Sequence, residues 1–142
     1  MIYSVGAISR FLLARESQGL RKWGLLRQAT LSLRKLEKLA LRYPDTEMTK
    51  YRMALGMQDF ANNEPDAALG KLQNALDLAR KSGIGFEQGQ AHEYMAVVFA
   101  SMAQMEEACD CISEAIVAYN TWGAKGKVAR LEQQRRRYGW SK

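Results

Sequence analysis

An internal repeat of forty residues constrains this chain more than any other feature of its sequence. Gly56 aligns with Ala96, Ala68 with Ala108, Leu72 with Ile112, Ala75 with Ala115 and Leu76 with Ile116, all at that one offset. Small residues face small ones and large apolar residues face large ones. Tyr51 against Ala91 and Leu55 against Met95 carry the apolar character into the preceding segment. Self-similarity at such a period is the mark of stacked supersecondary units, each too small to bury its own apolar face. The segment before residue 44 does not fall cleanly into this register.

Each unit reads as a pair of helices. In the first unit, a helix over about 45–62 is expected to be capped by Asp45 after Pro44, and Asn62-Asn63 ends it. Pro65 then sits where a helix begins, since its missing N–H costs nothing in the first turn. Leu69, Leu72, Leu76 and Ala79 share one face of that second helix, and Gly83 stops it. Helices over roughly 86–103, 105–120 and 123–138 follow, the last with Val128, Leu131 and Tyr138 on one side. Upstream, 2–16 and 25–42 form a hairpin joined through Gly19 and Gly24, giving seven helices. Small residues at the crossings, Gly56 with Ala68 and Ala96 with Ala108, let the helix axes approach to about 8–10 Å. The helix around 48–61 is apolar on two sides, with Met48, Tyr51 and Leu55 on one and Met53, Met57 and Phe60 on the other. A helix of that kind needs two neighbours.

The charge is unevenly divided along the chain. Residues 1–43 hold nine Lys/Arg against two acids, residues 44–118 five against twelve, and residues 119–142 seven against one. The net +6 therefore comes from two basic ends around an acidic middle, which suits complementary packing of segments at least as well as a polyanion-binding stripe. Cys109 and Cys111, two apart on one helix, point about 200° from each other and cannot bridge, so a reducing compartment is the default. The N-terminal run of Ile2, Val5, Ile8, Phe11, Leu12 and Leu13 is interrupted by Arg10 and is too short to span a bilayer. It is Arg- and Ser-containing and poor in acids, as mitochondrial transit peptides are. An amphipathic first helix packed on the second is the favoured reading.

The pattern Gly56…Ala68…Leu72…Ala75, repeated as Ala96…Phe99…Ala103…Ala108…Ile112…Ala115, resembles the tetratricopeptide repeat over about residues 25–138. The usual terminal proline is missing, and the inter-repeat loop is longer than in the 34-residue type, as in the longer repeats of large signalling ATPases. Tyr119-Asn-Thr-Trp122-Gly123-Ala124-Lys125-Gly126-Lys127-Val128, with Leu131, Glu132 and Tyr138 beyond it, is similar to the close of a repeat region in bacterial multi-sensor hybrid kinases. Gly126 departs from the alanine usual there and weakens the last helix by about 1 kcal/mol. No kinase or ATPase module is resembled.

Catalytic chemistry finds little support. His92, the one histidine, has no sequence-local partner suggestive of a triad and is expected on an exposed or groove-facing side. The cysteines lack the further ligands of a zinc site and read as small core fillers. Gly83-Ile84-Gly85-Phe86-Glu87-Gln88-Gly89 imitates a dinucleotide-binding loop but follows a helix and not a strand, so it reads as a connection. The register of tetratricopeptide proteins, in which first helices line a concave groove, implies a partner-binding groove of Lys50, Met53, Met57 and Phe60 from one repeat. Gln90, Glu93, Val97 and Ala100 come from the next. Methionine and aromatic side chains adapt well to apolar partners. The competing arrangement covers these residues with the N-terminal hairpin or a second copy. Lys125, Lys127, Arg130, Arg135, Arg136 and Arg137 form the strongest basic run, with Tyr138 and Trp140 as stacking groups if nucleic acid binds there.

The sequence thus predicts an all-α fold of antiparallel hairpins stacked as a tetratricopeptide-like α-solenoid. A single domain spans 1–142, divided as an N-terminal hairpin (1–43), repeats at 44–83 and 84–122, and a capping helix (123–142) that Trp122 locks in place. The expected function is a non-catalytic, cytoplasmic scaffold for a protein or peptide partner in signalling, with no cofactor, no metal and no membrane. Nucleic-acid binding through the basic ends is the second reading. An apolar strip left on the N-terminal helix predicts a homodimer or partner interface there.

Overall fold

The computed structural model describes residues 2–16 and 19–137. Seven helices run through them: α1 (Ile2–Glu16), α2 (Gly19–Arg42), α3 (Pro44–Ala61), α4 (Pro65–Ser82), α5 (Gly85–Ser101), α6 (Met105–Trp122) and α7 (Lys125–Arg137). The described residues contain no strand. Two starts differ from expectation. Helix α2 begins at Gly19, which takes a φ of +67°, and runs straight through Gly24. Pro44 opens α3 itself, with Tyr43 as the residue before it, so Asp45 lies in the first turn near the positive end of the helix.

The forty-residue offset recurs in backbone geometry. Asn63 and Ala103 both adopt left-handed φ, at 62° and 60°. Glu64 N–H donates to Asp59 O at 2.9 Å, and Gln104 N–H donates to Phe99 O at 3.0 Å. Gly83 and Gly123 have φ of 72° and 82°, and after them Ile84 donates to Ala79 O and Ala124 to Tyr119 O. Four of the aligned pairs are buried at both positions: Ala68 with Ala108, Leu72 with Ile112, Ala75 with Ala115 and Leu76 with Ile116.

The chain divides into two compact units, Met1–Ala75 and Leu76–Lys142, with the boundary inside α4. In the first unit α1 packs against both α2 and α3. Ala7, Ile8, Phe11 and Ala14 of α1 are buried, as are Ala29, Leu33, Leu36 and Ala40 of α2. Of the apolar run read on α1, Ile8 and Phe11 are therefore covered. Leu13 is exposed, Leu12 is half-buried, and the side chains of Ile2 and Val5 lie outside the described residues.

The same packing corrects the first half of the expected groove. Met53, Met57 and Phe60 are core residues, none more than 3% exposed. Arg15 of α1 closes over this end: its guanidinium sits 4.0 Å from the centre of the Phe60 ring and donates to Phe60 O at 2.7 Å. It also donates to Asn63 Oδ1 at 3.0 Å. Lys50 is half-buried and pairs with Glu47 one turn back at 3.4 Å. Helices α3 and α4 meet at Gly56, where an added Cβ would stand 3.0 Å from Leu72 and 3.2 Å from Ala68 O. Lys71 pairs across to the buried Asp59 at 2.7 Å.

Candidate functional site

In the second unit the close approach of α5 and α6 depends on Gly89. A Cβ there would lie 2.6 Å from the ring of Tyr119, so no other residue fits without displacing that ring. Tyr119 is fully buried, and Phe86 packs at a tilt against it with ring centres 5.4 Å apart. A buried phenol needs an acceptor. Tyr119 donates its hydroxyl to Glu93 Oε2 at 2.9 Å, one turn along α5 from Gly89. Burial, then the charge of Glu93 and this hydrogen bond, push the Tyr119 phenol far above its ordinary value. Tyr94 is pushed up to about 12 by burial, with Glu93 adding to it.

Glu93 also anchors α7. Arg130 donates to Oε1 at 2.7 Å and Lys127 Nζ stands 3.7 Å from Oε2. Lys127 reaches there across two aromatic faces, 5.9 Å from the Phe86 ring centre and 5.6 Å from that of Tyr119. Val128 and Leu131 are buried beneath, in one cluster with Ala108, Ile112, Ala115 and Tyr119. One carboxylate therefore ties α5 to α6 through a neutral donor and to α7 through two cations.

Beside this hub lies a pocket of about 430 Å³ lined by Glu93, Ala96, Val97, Ala100, Ser101, Met105, Ile112 and Gln134. Alanines 96 and 100 leave the space, Ile112 forms part of the apolar lining, and α7 contributes Gln134. Of the groove residues expected from this repeat, Glu93, Val97 and Ala100 converge on the pocket, while half-buried Gln90 is not part of its wall. Met105 and Gln134 were missed. Neither has a spacing that links it to α5, because both reach the pocket from other helices.

The expected basic patch separates into two groups. Lys127 and Arg130 are held by Glu93, whereas Lys125 and Arg136 are exposed and Arg135 is half-buried. The side chain of Arg137, with Tyr138 and Trp140, lies outside the described residues. Trp122 does not lock α7 down. It is 59% exposed and lies near Gly85 at the start of α5, and Tyr119 has the closing role instead.

His92 is buried and not exposed, facing a pocket, and its Nδ1 has no hydrogen-bond partner among the described residues. Burial first, then the charge of Arg80, lower its affinity for a proton, while Glu114 raises it. It borders a second pocket, of about 340 Å³, which includes Gly85, Glu114, Val117, Ala118, Thr121 and Trp122. Cys109 is buried and Cys111 half-buried. Burial, with Asp110, Glu114 and Glu107 around it, pushes the Cys111 thiol up to about 11. No described group of three or more His, Cys, Asp or Glu residues is arranged to hold a metal ion. No described helix is long and apolar enough to cross a membrane.

Comparison with protein-family models, curated proteins and solved structures finds no match to this chain.

Proposed function

We propose that the chain is a non-catalytic interaction module of tetratricopeptide-like type, which takes an apolar side chain of a partner helix or peptide into the pocket bordered by α5, α6 and α7. The observation that carries this reading is the pocket's composition. Ala96, Val97, Ala100, Met105 and Ile112 give an apolar wall, with Glu93, Ser101 and Gln134 as the polar members. Recognition sites of this kind bury an apolar anchor and orient it with few polar groups. The carboxylate of Glu93 is occupied by Tyr119, Lys127 and Arg130, so its role is to fix the wall. Gln134 and the exposed edge of Met105 are left to meet a ligand. The repeat geometry supports placing the module in a scaffold that couples partners or domains of a signalling assembly in the cytoplasm.

The nucleic-acid reading loses two of its cations to Glu93, which leaves it second. A displayed library of amphipathic helical peptides, panned against the full chain and counter-selected with Ala100→Trp, tests the proposal. The bulky indole fills the pocket from its own wall, so selected peptides should bind the parent chain and not the variant. Peptides that bind both equally would refute the pocket as the site. Binding to RNA or DNA that falls steeply with salt and requires Arg135 and Arg136 would establish the second reading instead.

A further inference from the structure

Helix α2 turns one long stripe away from the core of its unit. Leu20, Trp23, Arg27, Leu31, Arg34 and Lys38 recur on it at intervals of three and four residues, all exposed. Trp23 is 61% exposed, and the Arg27 guanidinium lies 5.4 Å from its ring centre. Among the described residues no carboxylate pairs with Arg27, Arg34 or Lys38. A monomer rarely leaves indole and leucine beside unpaired cations on a helix without a partner to cover them. The cations run down the middle of the stripe and not along its flanks. A lipid surface would have to take them into the acyl boundary, so a helix with interspersed acids fits better.

Such a helix exists in the same chain. The outward stripe of α6 carries Glu107, Asp110, Glu114, Val117 and Thr121, all exposed, and its last turns line the 340 Å³ pocket beside Gly85 and Trp122. The spacings match in reverse. From Trp23, the cations Arg27 and Arg34 follow after four and a further seven residues. From Ala118, at the pocket, the acids Glu114 and Glu107 precede by four and a further seven. Two antiparallel helices in that register set Arg27 against Glu114 and Arg34 against Glu107, and place Trp23 over the pocket.

We infer that the chain self-associates, α2 of one copy lying antiparallel on α6 of a second, with Trp23 inserted in the pocket bordered by Val117, Ala118 and Trp122. The indole is the anchor, as aromatic side chains in fully covered pockets are at interfaces. The two ion pairs set the register and the rate of encounter. Leu31 falls opposite Asp110, a poor match, and Lys38 falls opposite Ala103, just before α6 begins. The two stripes can meet reciprocally in a closed pair, or link successive copies into a ring or a chain. It uses neither the 430 Å³ pocket nor the N-terminal helix, and is independent of the function proposed above.

Light scattering and sedimentation of the full chain over a range of concentrations, at low salt, provide the test. The parent chain should associate, and Trp23→Ala should weaken association by about tenfold or more. One variant carries Arg27→Glu and Arg34→Glu; the other carries Glu107→Arg and Glu114→Arg. Each should remain monomeric alone, with unchanged helical circular dichroism, because its two stripes then repel. Mixed together they should associate again, since each reversed stripe meets its complement on the other chain. A parent chain that stays monomeric overturns the inference, even if it binds an acidic helix or anionic vesicles. Association that is unaffected by Trp23→Ala, or variants that show no recovery on mixing, overturns it equally.

Discussion

Gly89 and Tyr119 face each other so closely that the glycine's missing side chain is the space the tyrosine ring occupies. The positions are thirty residues apart in sequence, yet a side chain added at 89 must displace the ring at 119. Gly89→Ala should therefore lower stability by about 1–3 kcal/mol, although alanine is the better helix former. Chemical denaturation with unchanged helical content in the native baseline would check this. A neutral or stabilising effect would mean that α5 and α6 can slide apart at no cost.

Removing the carboxylate at position 93 should be felt in two ways. Glu93→Ala strands the buried Tyr119 hydroxyl, a loss of about 1–3 kcal/mol. Glu93→Gln keeps an acceptor for Tyr119 but loses the attraction for Lys127 and Arg130. Those side chains are partly exposed, so about 1 kcal/mol or less should be lost, shrinking further as salt is added. Chemical denaturation at low and high salt supplies the readout, since the loss in Glu93→Gln should shrink with salt.

Ala103 occupies a left-handed conformation that its repeat counterpart fills with Asn63. An alanine there is strained by roughly 1–2 kcal/mol, and glycine relieves that strain while making the unfolded chain more flexible. Ala103→Gly should give a net gain of about 0.5–1 kcal/mol, read as a raised denaturation midpoint. Ala103→Asn should move stability in the same direction.

The burial of His92 predicts an acid limb in the stability profile. Its folded-state proton affinity is lowered, chiefly by burial, whereas the unfolded histidine titrates near about 6.5. The unfolded chain then binds the proton more readily. Stability from this group is complete above about pH 6.5 and is lost as pH falls below it toward the folded-state value. Denaturation midpoints measured between about pH 5 and 7.5 should decline on the acid side for the parent chain. They should decline less for His92→Asn, while a decline identical in both would assign the effect to other groups.

Local pattern made much of this architecture legible. Helix count, the small-residue crossing at Gly56 and Ala68, and the forty-residue period all follow from residues that repeat or punctuate along the chain. The period even reappears in the turns at Asn63 and Ala103. Long-range choices were not legible. Arg15 lies forty-five residues from Phe60 and gives no sign in the sequence that it will cover that ring and close the end where a groove was expected. Lys127 and Arg130 look like part of a cationic run until α7 is folded back onto Glu93. Trp122 and Tyr119 are three residues apart on α6, and a modest helix rotation decides which of them is buried. Glu93, Val97 and Ala100 shared a predicted face and do share a pocket, but Met105 and Gln134 join them only through tertiary packing.

The fastening of α7 has a consequence for timing. Val128 and Leu131 are its buried apolar residues, both of its ion pairs run to the single carboxylate of Glu93, and Lys127 lies over the Phe86 and Tyr119 rings on the way. A helix held in this way opens as a unit before the rest of its core, as low-stability foldons do. Gln134 belongs to that helix and to the wall of the 430 Å³ pocket, so each opening also removes part of the wall. A bound segment could not reside there much longer than α7 remains docked. Amide hydrogen exchange along α7 would then set the upper limit of ligand residence time, and added salt would shorten both together.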